Sequence, residues 1–251
     1  MNMVIKYGGN AMTDEATRKA VASSIGAMAA TAQPPVVVHG GGPFISQALD
    51  EAGIEHQFVR GLRVTTAPAM DVIERVLTLL GKRLAHEIGR AVALTGRDCG
   101  LLSADLAGPE LGLVGRMRAV DTTVLDALRG AGVVPVVACV AQDGSGGVLN
   151  VNADEVAGAV AAALGAGVCF LTNVPGVLDD PADPSSLLRE LSRTEIERRI
   201  ADGRISGGMI PKVEAALSAL GFGAPYAVIA DGRDAAGVTR ALAGGGTRVV
   251  A

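Results

Sequence analysis

The 251-residue chain has no tryptophan, two tyrosines and four phenylalanines, so its core must be built from aliphatic side chains. It has three cysteines, Cys99, Cys139 and Cys169. They lie far apart in an odd number with no C-x-x-C pair, which excludes a disulfide framework or a thiolate zinc site and fits a reducing cytoplasm. The three histidines, His39, His56 and His86, lack the spacing of metal ligands and are read as structural. No metal site is expected. The N-terminus has no signal-peptide apolar region, and no apolar run approaches the ~18 residues of a membrane span. Net charge is −4, without the basic excess of a nucleic-acid or membrane-surface binder. Low-complexity segments are absent.

What the chain has is aliphatic residues and glycine: 49% is hydrophobic and 34 residues are glycine. Short apolar runs recur at 3–7, 36–38, 91–95, 133–140, 168–172, 226–230 and 247–250. Their apolarity is continuous rather than alternating, as in strands buried on both faces of a parallel sheet. Helical spacing separates them. Val21, Ile25 and Met28 share a face, as do Ile73, Leu77, Leu80 and Leu84. So do Val124, Leu125 and Leu128, and Val213, Leu217 and Leu220. Ser192-x-x-Glu195 has capping-box spacing ahead of Ile196 and Ile200. Alternating strands and helices predict an α/β fold, a three-layer αβα sandwich with a mainly parallel central sheet. Residues 54–69 and 97–120 break the alternation and read as β-hairpins over one end of the sheet, and 179–191 as an exposed loop. A domain boundary is expected where Gly165-Ala166-Gly167 ends a helix, giving domains 1–166 and 167–251.

Two strands run straight into glycine. Residues 4–9 read VIKYGG and 36–43 read VVVHGGGP. Glycines in series cost backbone entropy unless the chain must bend or be closely approached. A tight turn accounts for either cluster alone. In a parallel α/β sheet, however, both fall where ligands bind, and Pro43 suits the first turn of a helix whose free N–H groups would face an anion. Neither cluster matches G-x-x-x-x-G-K-[ST], nor G-x-G-x-x-G with an acid ~20 residues on, so a P-loop and a dinucleotide fold are disfavoured.

Lys6 reads either as an edge-strand lysine or as a functional one, since lysines within buried strands are unusual. Arg63 is a surface arginine or a carboxylate fork. Asn152 and Glu155 have N-cap and N3 spacing, so capping explains them, but it does not explain Asn150 or Asp154. Lys212 lies at a helix start, where the dipole opposes a cation unless an anion binds beside it.

Eight segments occur in an order that resembles the amino acid kinase family: KYGGNAM (6–12), VVHGGGP (37–43), GLRVT (61–65), LTGRDCG (94–100), LNVNADEVA (149–157), LTNVPGVL (171–178), GGMIPKVEAAL (207–217) and GTRVV (246–250). GLRVT and NVNAD resemble the branch that phosphorylates the γ-carboxylate of N-acetyl-L-glutamate with ATP. That resemblance implies Gly8 and Gly9 at the ATP phosphates, and Gly41 and Gly42 at the substrate and the transferring group. It implies Arg63, Asn150 and Asn152 on the substrate, Lys6 and Lys212 neutralising the phosphoryl, and Asp154 orienting both lysines. Asn173, Val174, Pro175, Gly176, Val177 and Leu178, with Arg204, Ile205 and Ser206, match the nucleotide pocket, and Mg²⁺ would be held mainly by the nucleotide phosphates. Asn173 stands where many relatives have an acid, Cys99 where glycine is common, and the 97–120 region is short. Kinases of carrier-bound aminoadipate or glutamate, and a non-catalytic amino acid sensor, share the fold; both lysines and Asp154 argue for catalysis. With the first strand starting near residue 3, no helix is expected before it, and in the family such a helix goes with arginine inhibition and a hexameric ring. The expectation is an arginine-insensitive homodimer joined through a helix at 71–88, whose stripe Val72, Val76 and Leu79 is wider than one sheet face needs.

Overall fold

The structure is a computed structural model that describes residues 2–29, 33–183, 185–233 and 235–251. Along the chain, β1 (Met3–Tyr7) leads to α1 (Glu15–Met28), β2 (Val36–His39) and α2 (Gly42–Glu51). A short hairpin, β3 (Phe58–Val59) and β4 (Leu62–Arg63), precedes α3 (Ala67–Ile88) and β5 (Ala91–Thr95). Then come β6 (Leu102–Leu106), β7 (Val114–Val120), α4 (Thr123–Gly130), β8 (Val134–Ala138), β9 (Val140–Gln142) and β10 (Val148–Val151). The remainder is α5 (Ala153–Ala163), β11 (Gly167–Thr172), β12 (Glu190–Ser192), α6 (Arg193–Ala201), α7 (Ile210–Phe222), β13 (Ala227–Asp231), α8 (Ala235–Leu242) and β14 (Thr247–Val250).

All seven apolar runs enter one eight-stranded sheet of order β12-β14-β13-β11-β1-β2-β8-β5. Its pairs are parallel except β13 with β14. Helices cover both faces, which is why the strands are apolar throughout. Val4 packs with Val36, Val38, Phe170, α2, α5 and α7 on one face. Met3, Ile5 and Tyr7 pack with α1 and α8 on the other. The long helix α3 serves both clusters, Ile73 and Leu77 in the first and Leu80 and Leu84 in the second. Lys6 thus lies on the face that carries α5.

Several expectations are corrected. The 133–140 run is two strands, because the chain leaves the sheet at Cys139, whose carbonyl accepts from Val151 N–H. There β9 and β10 close a four-stranded barrel with the expected β6–β7 hairpin. Of 54–69, only 58–63 is a hairpin; Thr66 caps α3 by accepting from Ala69 N–H. The 179–191 stretch is not all exposed loop, since buried Leu191 carries β12 along β14. Val72 is buried within its own chain and so is not part of a free stripe, whereas Leu79 is 54% exposed. The α8 helix had no counterpart among the expected elements.

Candidate active site

The two glycine loops touch. Because β1 and β2 are adjacent and parallel, both loops leave the same edge of the sheet. Gly40 N–H donates to the Tyr7 carbonyl at 3.3 Å, and a Cβ on Gly8 would lie 3.3 Å from Gly40 N. A Cβ on Gly41 would lie 2.9 Å from the Leu77 side chain, so glycine there lets α3 pack under the loop. Gly42 begins α2 with nothing within 4 Å of such a Cβ, leaving that turn open to a ligand.

Lys6 and Asp154 form an ion pair of 2.9 Å between the loops, with side chains 18% and 35% exposed. Asp154 occupies the first turn of α5, where the dipole favours an anion. Asn152 is the α5 N-cap, its Oδ1 accepting from Asp154 N–H at 2.7 Å. The capping box is only half present. Glu155 does not turn back to Asn152 but accepts from Met117 N–H at 2.7 Å and from Arg116 at 3.0 Å, fastening α5 to β7.

One cavity of about 340 Å³ is lined by Lys6, Gly8, Gly9, Asp154, Asn173 and Lys212. Asp154 was expected to hold both lysines, but its only ion pair among the described residues is with Lys6. Lys212 Nζ instead donates to the Gly208 carbonyl at 2.9 Å, which relieves a cation in the first turn of α7. Both amines still face the same cavity. Val174, Pro175, Gly176, Val177 and Leu178, and Arg204, Ile205 and Ser206, are not among its lining residues. Val177 and Ile205 are buried core, and Arg204 lies 3.6 Å from Asp179, so these two segments adjoin one another.

A second cavity, of about 370 Å³, is lined by Gly41, Gly42, Ser46, Arg63, Asn150 and Asn152. Arg63 is 7% exposed. Its guanidinium donates to Ser46 Oγ at 2.7 Å, the Gly42 carbonyl at 3.3 Å and His56 Nδ1 at 2.9 Å, and lies 4.6 Å from the centre of the Phe58 ring. No carboxylate among the described residues pairs with it, and burial lowers its pKa. Asn150 donates from Nδ2 to Thr65 Oγ1 at 3.1 Å. Cys139 lines the same cavity, but burial pushes its thiol up to about 12, so it stays protonated and is no nucleophile. His39, just before the triple glycine, is fully buried, with Nδ1 against the Gly40 carbonyl at 3.1 Å and, among the described residues, no partner for Nε2. Among the described residues, no three His, Cys, Asp or Glu side chains are grouped to hold a metal. Ser46 carried no signal in the sequence, and Thr65, within GLRVT, was not singled out, because their neighbours come from distant elements.

The arrangement offers two cavities, one with two amines, a Lys–Asp pair and open glycine backbone, the other with a buried guanidinium. Cations at both can gather an anionic donor and an anionic acceptor. Residues 1–231 match the model of the amino acid kinase family. A protein of Deinococcus radiodurans named acetylglutamate kinase is 53% identical, over 99% of this chain and 100% of its own. One of the same name from Methanothermobacter thermautotrophicus is 38% identical over 92% of this chain and 86% of its own. Among solved structures, smu.665 from Streptococcus mutans superposes with a TM-score of 0.81 at 27% identity, covering 99% of this chain and 98% of its own.

Proposed function

The chain belongs to the amino acid kinase family, and from that premise we propose that it transfers the terminal phosphoryl group of ATP to the γ-carboxylate of N-acetyl-L-glutamate, a step of arginine biosynthesis. The observation that carries this reading is Arg63. A buried cation must be compensated, yet its direct partners are all neutral. It is a receptor for a carboxylate that no described residue provides, beside Asn150 and the open turn at Gly42.

The rest of the site suits the transfer. Phosphoryl transfer asks for in-line positioning and charge neutralisation rather than covalent help. Lys6 and Lys212 would neutralise the equatorial oxygens, Gly8 and Gly9 would admit the phosphates to within hydrogen-bond reach of backbone, and Asp154 would hold Lys6. A carboxylate acceptor is ionised at neutral pH and needs no general base. Residues 1–166 would then be the substrate half and 167–251 the nucleotide half, with Asn173–Leu178 and Arg204–Ser206 shaping the far end of the nucleotide site. Mg²⁺ would ride on the nucleotide phosphates. The reading extends to a cytoplasmic homodimer joined through α3 with exposed Leu79 in the contact. A Leu79→Glu variant is then a monomer by light scattering, and an unchanged mass rejects that contact.

The test of function is hydroxamate trapping. Incubation with ATP and N-acetyl-L-glutamate gives an acyl hydroxamate. None with the free substrate, alongside turnover of a carrier-bound glutamate or aminoadipate, rejects the assignment.

A further inference from the structure

We infer that His56, backed by Asp50, positions the Arg63 guanidinium for a substrate carboxylate without neutralising it. The inference rests on the reading of Arg63 given above. Arg63 Nη1 lies 2.9 Å from His56 Nδ1, and His56 Nε2 lies 3.2 Å from Asp50 Oδ1. An arginine can only donate, so Nδ1 is the acceptor, and the ring proton sits on Nε2 and points at Asp50. The three side chains form one directed chain, carboxylate to imidazole to guanidinium. It runs from the exposed end of α2 to the cavity: Asp50 is 72% exposed and His56 17%.

The interposed imidazole has a chemical reason. A carboxylate in direct contact with Arg63 would satisfy the guanidinium and compete with the substrate for it. A neutral ring fixes the same N–H and leaves the positive charge in place. Asp50 holds the ring in the accepting tautomer from its far side, as a carboxylate behind a histidine does elsewhere. The remaining contacts lock the arrangement. Ser46 Oγ and the Gly42 carbonyl hold Nη2, so α2, which starts at the triple glycine and ends near Asp50, holds Arg63 directly from its first turns and through His56 from its end. Phe58, on the strand paired with β4, covers the guanidinium face and stands edge-on to His56 at 6.3 Å. With three donors committed, the guanidinium is held in one orientation, and the N–H groups left for a substrate carboxylate are those on Nε and Nη1.

Steady-state kinetics on the full chain with N-acetyl-L-glutamate and ATP test this. His56→Leu keeps the packing against Phe58 and removes the acceptor. It is expected to raise KM for N-acetyl-L-glutamate roughly three- to ten-fold, the effect of one lost hydrogen bond, with kcat and the KM for ATP within about two-fold. His56→Asn, whose amide oxygen falls near the Nδ1 position, should recover much of that loss. His56→Glu should raise KM beyond His56→Leu, because its carboxylate pairs with Arg63 directly. The proposal is overturned by an unchanged KM in His56→Leu, by equal losses for both substrates, by no rescue in His56→Asn, or by wild-type affinity in His56→Glu. Arg63→Ala separates the two levels. If it leaves KM for N-acetyl-L-glutamate unchanged, the underlying reading of the site fails. If it raises KM while His56→Leu does not, only the role of His56 is rejected.

Discussion

Lys6 lies one residue short of the end of an otherwise buried strand, where an unpaired ammonium would be costly. Asp154 meets that cost at 2.9 Å and leaves the amine facing a cavity. Lys212 faces the same cavity from α7, held by one carbonyl. If both act on charge that grows during transfer, each matters more to the transition state than to substrate binding. Lys6→Ala and Lys212→Ala should then each lower kcat ~10²–10³-fold with little change in KM for N-acetyl-L-glutamate. Near-native kcat in either variant would make that lysine structural. Arg63 is the counter-case, because it would bind a carboxylate that does not react. Arg63→Ala should raise KM for N-acetyl-L-glutamate far more than for ATP.

At the scale of elements, some joints between strands and helices are strained and others tight. Arg60, at the tip of the β3–β4 hairpin, has φ 50°, and Cys99, between β5 and β6, has φ 54°; both lie in the left-handed region, which disfavours side chains of their kind. Asn visits that region readily and Gly freely, so Arg60→Asn and Cys99→Gly should each raise stability by about 0.5–1 kcal/mol, read as a shift in the urea midpoint at constant m. The crossing of α1 over the end of α3 is the opposite case. A Cβ on Gly26 would lie 2.4 Å from the Ile88 carbonyl oxygen, a backbone atom that cannot swing aside. Gly26→Ala should cost about 1–3 kcal/mol by forcing the helices apart. A variant as stable as the parent would show that the crossing has slack.

For the molecule as a whole, the buried histidine just before the triple glycine sets a pH limit. Burial lowers the His39 pKa from 6.5 to about 4. The unfolded chain therefore takes up a proton near pH 6.5, which the folded chain refuses until near pH 4. Stability is at its full value above 6.5 and falls as pH drops across that window, by up to ~3 kcal/mol from this group. The lowered carboxylates, Asp179 against Arg199 and Glu195 at its cap, lose their contributions as pH falls from the ordinary carboxylate range down through their lowered values. Denaturant midpoints measured from pH 7 to 4 should fall steadily, and His39→Gln should flatten that slope. An equal slope in the variant would assign the acid sensitivity elsewhere.

The sequence by itself determined most of the elements and marked the residues proposed to carry chemistry. Apolar runs marked the seven strands in the main sheet other than β12, helical spacing marked most helices, and the glycine loops and both lysines stood out because local patterns do not otherwise need them. Those signals are local, since period, capping and glycine cost are set by neighbours within a turn or two. Tertiary structure alone decided who meets whom. It placed the first strand at the centre of the sheet, between β2 and β11, and so brought two loops far apart in sequence to one site. It split the 133–140 run at Cys139, sent Glu155 to β7 rather than back to its own cap, and gave Asp154 to Lys6 and not to Lys212. It also set His56 between Asp50 and Arg63. Such pairings depend on packing between distant segments. A lone histidine or glutamate looks the same in sequence whichever partner the fold delivers.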